Sequence, residues 1–578
     1  MRWNVIDKKQ RNKDAKFQRE EIIKILLENR GLKSKKEVNE FLNPTRPEKF
    51  SAKDLEIDEK EVKKAVSRIN KAIKNNEAIV VYGDYDADGI CATAILWETL
   101  YQLTKNVLPY IPERISEGYG LNTESIKNLK FKTKNLKLII TVDHGITAAD
   151  KIKYAEKLGI DVIVCDHHQV GKEKPECTAV VHTEKICATA IAWFLSMSLR
   201  RALPRSNPQR DEIASSRSSS ELAMTDYLDL VAIATIADLE PLVGINRSFA
   251  KYGLEVLRKT ERCGLLAIFE EAGIKKEEID TYHVGYIIAP RLNAMGRMEH
   301  ALESLRLLCT KDCVKAKSLA EKLGLTNKER QLLTEETAKQ AKLLVAGLEG
   351  ELPKFLVVDS DQYEEGIIGL VAGKLVEEFH RPALVISRGE VYSKASARSI
   401  TGFNIIEAIR LQSDLLVDAG GHPMAAGLTI ETTKIEILKE RLLKLAEEKI
   451  PPEALEKVLK IDMEIPLSEV NSELWEEIQK MAPFGLGNYE PIFISKAVVR
   501  DFRTVGNEGK HLKLIIRNQE SGISEQSNTV SAIAFSQGKL AESLKIDQEI
   551  NVAYNIVLNE WNGEKKVELK VKDIKWTS

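Results

Sequence analysis

VVYGDYDADGICATAIL, residues 80–96, carries three carboxylates, Asp84, Asp86 and Asp88, out of an apolar run and into Gly89 and a helix-like stretch. Three acids in five residues repel one another strongly unless a cation offsets the charge. The D-x-D-x-D-G string superficially matches a calcium-binding EF-hand loop. Its twelfth position, which should be Glu, is Ile95, and the loop runs straight into apolar sequence, so that reading fails. A solvated turn with a helix cap needs only one Asp. The run before the acids is short and apolar, the mark of a buried strand, and the segment after them has helical length.

Three further segments repeat the theme. LIITVDHGIT (138–147) ends its apolar run in Asp143 and His144, and DVIVCDHHQ (161–169) ends in Asp166, His167 and His168. LVAIATIADLEPL (230–242) ends in Asp238. Apolar runs at 79–82, 137–142, 161–165 and 228–237 alternate with helix-like stretches at 90–103 and 148–158, which predicts βαβ units and a parallel sheet. A lone Asp after a strand is usually a cap or turn residue. Four such sites are different, because the C-terminal strand ends of a doubly wound sheet share one edge, where ligands bind. Carboxylates with one or two imidazoles suit Mn²⁺ or Mg²⁺ better than Zn²⁺. Two such ions ~3.5–4 Å apart activate a water and clamp both oxygens of an in-line displacement at phosphorus. Phosphoester hydrolysis is the expected reaction.

The rest of the chain surrounds this core. Residues 20–75 read as helical, broken at Asn43, Pro44 and Pro47. A long helical pattern at 311–347 connects to a second α/β pattern: strand-like 355–358, helix 367–379, strand-like 383–386, glycine-rich 418–427 and helical 432–449. Beyond Pro451 and Pro452, five strand-like segments (491–499, 511–517, 529–535, 549–557, 566–574) suit a small β-barrel of the OB type. The stretch from Arg200 to Ser220, rich in Ser, Arg and Pro, reads as an exposed loop.

Bulk properties set limits. At 578 residues the chain should hold three or four domains. With 85 basic and 87 acidic side chains, a polyanion must be held by a local patch and not by a global field. The first twenty residues are too charged for a signal peptide, and no later stretch holds ~18 apolar residues, so a soluble, cytoplasmic protein is expected, off the membrane. Seven scattered cysteines without a CxxC pair suggest neither a disulfide framework nor a zinc ribbon. Cys309 and Cys313 read as packing residues one turn apart on a helix.

GDYDADG, VDHGI and DHH, in this order and spacing, resemble the DHH phosphoesterase superfamily. FLNP (41–44), PERISEGYGL (112–121), IATIADLEPLVGINR (233–247), APRLNAMGRM (289–298), EEGIIGLVAGKL (364–375), SKASARSITGFNI (393–405), GGHPMAAG (420–427) and APFGLGNYEPIF (482–493) are similar to segments of its RecJ-like exonucleases, from about residue 20 to the C-terminus. The resemblance implies an α/β protein. A DHH lobe with a parallel sheet (51–310) and a DHHA1 lobe (351–450) would be joined by a long helix (311–350), after an N-terminal helical segment (1–50) and before an OB-like barrel (451–578).

It implies roles residue by residue. Asp86, Asp88, Asp143, His167 and Asp238 would hold two divalent ions, Mn²⁺ preferred and Mg²⁺ accepted, with Asp143 bridging and Asp84 a further ligand or orienting group. Asp166 would fix a histidine's orientation, with His168 an electrostatic stabiliser or proton donor at the phosphate. His422, in GGH, would approach the scissile phosphate from the second lobe. Arg114, Ser396 and Arg398 match phosphate-binding motifs, and Asn293 and Arg297 belong to one facing the metal cleft; the planar fork of Arg suits phosphate. His144 stands where many relatives have Asn, Tyr363 and Glu364 stand where Trp and His are common, and HTEKICATAIAWF lacks glycines usual before that helix.

On the C-terminal region, Arg500, Arg503, Lys510 and Lys513, with Tyr489, Phe493 and Phe502 nearby, are the ingredients of single-strand binding. The function implied is 5′ to 3′ degradation of single-stranded DNA to 5′ mononucleotides, in repair and recombination. The direction comes from the resemblance alone. A DHH enzyme acting on short oligoribonucleotides, cyclic dinucleotides or nucleotide 3′ phosphates is the rival, but it usually lacks the β-rich domain. A non-enzymatic replication scaffold is the second, but such proteins have lost metal ligands that this chain keeps. The expected partner is single-stranded DNA, with single-stranded-DNA-binding protein and a helicase as further candidates, and a monomer is expected.

Overall fold

The structure, a computed structural model, describes residues 1–7, 19–114, 116–171, 173–202, 227–347, 350–518, 529–561 and 564–576. The expected loop at 200–220 lies, from residue 203 on, outside the described residues. There are two compact units, one of Arg46–Glu240 and Ser248–Lys457, the other of Met1–Thr45, Pro241–Arg247 and Val458–Ser578.

In the second of these, β1 (Arg2–Val5) pairs in parallel with the strand Val458–Ile461. The larger unit begins its first sheet with β2 (Ala78–Tyr82), β3 (Val107–Tyr110), β4 (Leu136–Val142), β5 (Asp161–Asp166) and β6 (Ala179–His182). Their order is β3-β2-β4-β5-β6 and every pairing is parallel. All five residues of β2 are buried, because helices cover both faces; that is why the run reads as continuously apolar instead of alternating. The helix Ala87–Leu103 is buried for most of its length and packs on the helices Ala188–Ala202 and Leu228–Ala237. Truncating one of these buried Ile or Leu side chains to Ala costs ~2–5 kcal/mol.

The expectation of a strand-like run at 228–237 is corrected: LDLVAIATIA is a helix, Leu228–Ala237, capped by Asp238. A short apolar run buried on all sides has the same pattern as a strand or as a helix, and here three alanines favour the helix. The cysteine reading is corrected too. Cys309 ends one helix and Cys313 begins the next, because Asp312 caps Val314 and Lys315 and restarts the chain. Cys313 is disulfide-bonded to Cys263.

The 34-residue helix Cys313–Ala346 leads to the second lobe. There β7 (Leu356–Ser360), β8 (Ala383–Ser387), β9 (Tyr392–Arg398), β10 (Leu416–His422) and β11 (Ala425–Glu431) form a mixed sheet of order β10-β11-β9-β8-β7. Its core, around Phe355, Leu384, Ala397 and Leu438, is separate from that of the first lobe.

In the other unit, β12 (Val458–Ile461) and β13 (Met463–Glu464) are followed by β14 (Phe493–Val505), β15 (His511–Asn518), β16 (Thr529–Ala534), β17 (Glu549–Trp561) and β18 (Glu564–Trp576), and these last five close into a five-stranded barrel through the β14–β17 pairing. Closure leaves no open edge among these strands. The helix Arg19–Asn29 adds Ile22 and Leu26 to the barrel's core. Arg247 is buried and donates to the carbonyl oxygens of Phe41, Ala482 and Pro483, so three distant motifs, FLNP, GINR and APFG, meet at one guanidinium. The α/β architecture with two lobes, a long connecting helix and an OB-like barrel is the one the sequence predicts. Among the described residues no helix is long and apolar enough to cross a membrane.

Candidate metal centre and phosphate cleft

Strand order turns around between β2 and β4, and ligands bind in the crevice such a switch opens. Asp84 follows β2 and Asp143 follows β4, so the sheet places one acid on each side of it. Asp86 caps the helix Ala87–Leu103, its carboxylate accepting from the Asp88 and Gly89 N–H groups at 3.0 and 3.1 Å. A Cβ at Gly89 would lie 2.6 Å from that of Asp84, so only glycine lets the turn close. Asp88 points across to another helix start and accepts from Ala188 N–H and Thr189 N–H, each at 2.8 Å. The helix without the usual glycines is thus anchored by an acid of the first motif.

His167 is the hub. Its Nε2 is 3.2 Å from Asp143 Oδ1, 3.6 Å from Asp238 Oδ2 and 3.8 Å from Asp88 Oδ2. Asp84, Asp86 and Asp143 form an adjoining group whose ligand oxygens lie within 4.8 Å of one another. All six acid and imidazole positions predicted as ligands therefore gather at one edge. Asp143 sits at φ 67°, a left-handed conformation rare for a residue with a side chain and concentrated at functional sites.

The electrostatics call for a cation. Burial, then the neighbouring acids, pushes the carboxyls of Asp84, Asp143 and Asp238 well above the ordinary range, and Asp84 Oδ1 is buried with no hydrogen-bond partner among the described residues. Burial would push His167 down, but hydrogen bonds to Asp143 and Glu240 carry it well up. Hard oxygen donors with one imidazole fit Mn²⁺ or Mg²⁺.

Asp166 works beside the centre. Its Oδ2 accepts from Ile146 N–H at 2.8 Å, and its Oδ1 accepts from the N–H groups of His167 and His168 and from His168 Nδ1 at 2.8 Å. Burial would raise its carboxyl, but the His168 contacts hold it below the usual carboxylate range. With Nδ1 so engaged, His168 turns Nε2 toward the Tyr119 hydroxyl, 3.4 Å away, and its ring stacks on that of His422 at 5.7 Å. Burial, then His168 and His167, pushes His422 down. His144 is buried with Nε2 3.0 Å from Tyr82 O, and burial lowers it to about 4.

Around the second lobe the charge reverses. Ser396 and Arg398 share one face of β9, and the helix Ile368–Phe379 approaches them so closely that a Cβ at Gly369 would be 2.9 Å from Ser396 Oγ. Arg297 donates to Gly366 O at 3.2 Å and is lowered to about 10, by burial first and then by Arg114, Arg330 and Arg398. Arg114 lies over the Tyr85 ring. Asn293 Oδ1 is buried and has no hydrogen-bond partner among the described residues. Among the described residues none of these four arginines makes an ion pair with a carboxylate. Tyr363, one of the departures, is buried in the second lobe's core.

On the barrel the predicted patch divides. Arg503 and Lys513 face each other across β14 and β15 and line, with Phe502, Ser531 and Lys566, a groove of about 570 Å³. Lys513 is also paired with the buried Glu568 at 2.7 Å. Arg500 is tied instead to Asp547 at 3.0 Å, and Lys510 lies at the turn before β15. Sequence reading missed three residues here: Glu240 at His167, Tyr119 at His168, and Arg330 in the arginine group. Tyr119 lies within PERISEGYGL and Glu240 within IATIADLEPL, but nothing in their spacing marks the direction of a side chain; Arg330 is one arginine on a charged helix.

A doubly wound sheet with this acid and imidazole set at its switch point, and an arginine-lined lobe beyond it, defines a DHH-type phosphoesterase. Residues 78–235 match the DHH family N-terminal domain, 352–450 the DHHA1 domain and 461–573 the RecJ OB domain. The single-stranded-DNA-specific exonuclease RecJ of Thermus thermophilus is 31% identical over 523 residues, 89% of this chain and 71% of that protein. The RecJ of Bacillus subtilis is 36% identical over 526 residues, again 89% of this chain, but the chain spans only 63% of that relative's length. The crystal structure of Thermus thermophilus RecJ with Mn²⁺ superposes with a TM-score of 0.78 at 29% identity, covering 96% of this chain and 76% of that one; the same protein is also known with Mg²⁺. The chain belongs to the RecJ family.

Proposed function

We propose that this protein is a metal-dependent exonuclease that degrades single-stranded DNA from the 5′ end to 5′ mononucleotides. The observation that carries the reading is the convergence of Asp88, Asp143 and Asp238 on His167 Nε2. Asp86, Asp88, Asp143, His167 and Asp238 would hold two divalent ions, Mn²⁺ preferred, and Asp84 would add a further carboxylate. Bound there, the ions supply Lewis acidity and an activated water for in-line displacement at phosphorus.

The protein's own groups do the rest. Asp166 fixes His168 through Nδ1, so that Nε2 serves the phosphate as stabiliser or proton donor. His422, stacked on that ring and kept neutral by its surroundings, approaches the same phosphate from β10. Arg114, Arg297 and Arg398, with Ser396 and Asn293, bind the 5′-terminal phosphates, since guanidiniums without carboxylate partners need an anion. The barrel groove at Arg503, Lys513 and Phe502 holds the strand farther along. It acts as a cytoplasmic monomer, with single-stranded-DNA-binding protein and a helicase as protein partners.

The test is digestion of 5′- and 3′-labelled single strands, duplexes and short RNA with Mn²⁺, comparing the natural protein with Asp143→Ala. Release of label from the 5′ end of single strands, lost in the variant, is expected. Equal activity in the variant, or preference for RNA of two to five nucleotides, would overturn the assignment in favour of another centre or of the small-substrate DHH enzymes.

A further inference from the structure

The helix Leu228–Ala237 ends in an unusual way. Leu239 N–H donates to Ile236 O at 3.3 Å and Glu240 N–H to Thr235 O at 3.1 Å, the paired bonds of a Schellman cap. The residue at the turn of such a cap takes the left-handed conformation and is usually glycine; here it is Leu239, at φ 59° and 69% exposed. No burial of the leucine side chain offsets that backbone strain. What the turn achieves is to bring residues two apart in sequence to opposite nitrogens of one ring. Asp238 Oδ2 lies 3.6 Å from His167 Nε2, and Glu240 Oε1 lies 3.4 Å from His167 Nδ1.

A further carboxylate beside an already crowded acidic site is unfavourable unless it is used. Glu240 is nearly enclosed, with a side chain only 12% exposed, and it meets the one ring nitrogen that the other acids do not approach. An imidazole that ligates through one nitrogen needs its other N–H held by an acceptor, which fixes both tautomer and ring orientation.

We propose that Glu240 is the positioning residue for His167: it accepts a hydrogen bond from Nδ1–H, so that Nε2 is the nitrogen offered to a divalent cation among Asp88, Asp143 and Asp238, and so raises the affinity of the centre for that cation. This role rests on the metal centre proposed above. Glu240 touches neither the substrate nor the reacting atoms in this assignment. It is delivered by the backbone cap of the helix that also delivers Asp238, so the two acids move as one piece. Substitution of the Glu240 side chain leaves the cap's backbone bonds in place.

The experiment measures Mn²⁺ binding to the full chain by the electron paramagnetic resonance signal of free Mn²⁺, for the natural protein, Asp143→Ala, Glu240→Ala and Glu240→Gln. Loss of about 10- to 100-fold in affinity is expected for Glu240→Ala. Glu240→Gln, whose amide oxygen still accepts from Nδ1, should recover most of it. A parallel ¹⁵N spectrum of the Mg²⁺-loaded natural protein should show the His167 proton on Nδ1. If the natural protein fails to bind Mn²⁺, or Asp143→Ala binds it equally well, the metal-centre reading has failed. If those two behave as expected and a folded Glu240→Ala binds Mn²⁺ at full affinity, the positioning role is overturned. It is overturned as well if Gln is as poor as Ala, or if the proton is found on Nε2; the spectrum decides the case even if Glu240→Ala does not fold.

Discussion

The two-lobed α/β unit and the barrel treat charge in opposite ways. At the sheet edge, Asp84, Asp143 and Asp238 are forced upward by burial first and then by Asp86 and Asp88 beside them, and beyond them Arg114, Arg297, Arg330 and Arg398 form no ion pair with a carboxylate among the described residues. On the barrel, Arg500 is matched by Asp547 and Lys513 by Glu568. Like charge left unpaired in a buried place is costly, so it marks where a ligand of opposite sign completes the structure. Charge already paired marks a surface that stands alone and gains only modestly from a polyanion. The comparison predicts large losses from changes in the first region and small ones from changes in the second.

The sharpest break would come at Asp143. Asp143→Ala removes the acid nearest His167 Nε2 and should lower kcat by at least about 1,000-fold, as loss of several kcal/mol of charge stabilisation requires; initial rates on a labelled single strand measure it. Next is His168→Ala, which should cost on the order of 100-fold in kcat with Mn²⁺ affinity kept, because Asp166 engages its Nδ1 and the proposed ligand set does not include it. An equal loss of Mn²⁺ binding would place His168 among the ligands.

Smaller effects test the positive side. Arg398→Ala should raise KM for a 5′-phosphorylated strand by about 10- to 100-fold, the worth of charge-assisted hydrogen bonds, while a 5′-hydroxyl strand is less affected. A like loss on both substrates would detach Arg398 from the terminal phosphate. On the barrel, Arg503→Ala should flatten the salt dependence of DNA binding by about 0.7 in the slope of log K against log salt. Lys513→Ala should do less, because Glu568 already claims that ammonium. The reverse ranking would mean that the ion pair opens to receive DNA.

The sequence made some of this legible and hid the rest for physical reasons. Acids after apolar runs announced the strand ends of β2, β4 and β5, because a strand buried on both faces stays mostly apolar until it stops. The same logic misread 228–237, where an Ala-rich buried helix has no polar stripe to set its period. Yet Asp238 still arrived at the site, since both kinds of element end at the same edge. Glu240 was invisible because a left-handed leucine, which sequence does not advertise, turns it back toward His167. Arg500 and Arg503 looked equivalent in sequence. Only the fold shows that one already faces an aspartate. The Cys263–Cys313 pair joins residues fifty apart, and no local pattern predicts it.

The last expected effect is on stability and not on activity, and it concerns a buried group outside the proposed ligand set. His144 is held neutral, at about 4, by burial in the floor of the site. Its ordinary value is about 6.5, so between pH 6.5 and 4 the unfolded chain binds a proton there that the folded chain refuses. Folded stability is therefore lost as pH falls through that window, by at most about 3 kcal/mol, and above it His144 contributes no pH dependence. His144→Asn keeps a donor for Tyr82 O and has nothing to titrate. Thermal unfolding with a chelator present should then show the variant gaining on the natural protein as pH drops from 6.5 to 4, with equal behaviour at neutral pH. A constant difference across the window would mean that His144 is charged in the fold, and that the floor of the site, unlike the cluster above it, already holds its own counter-ion.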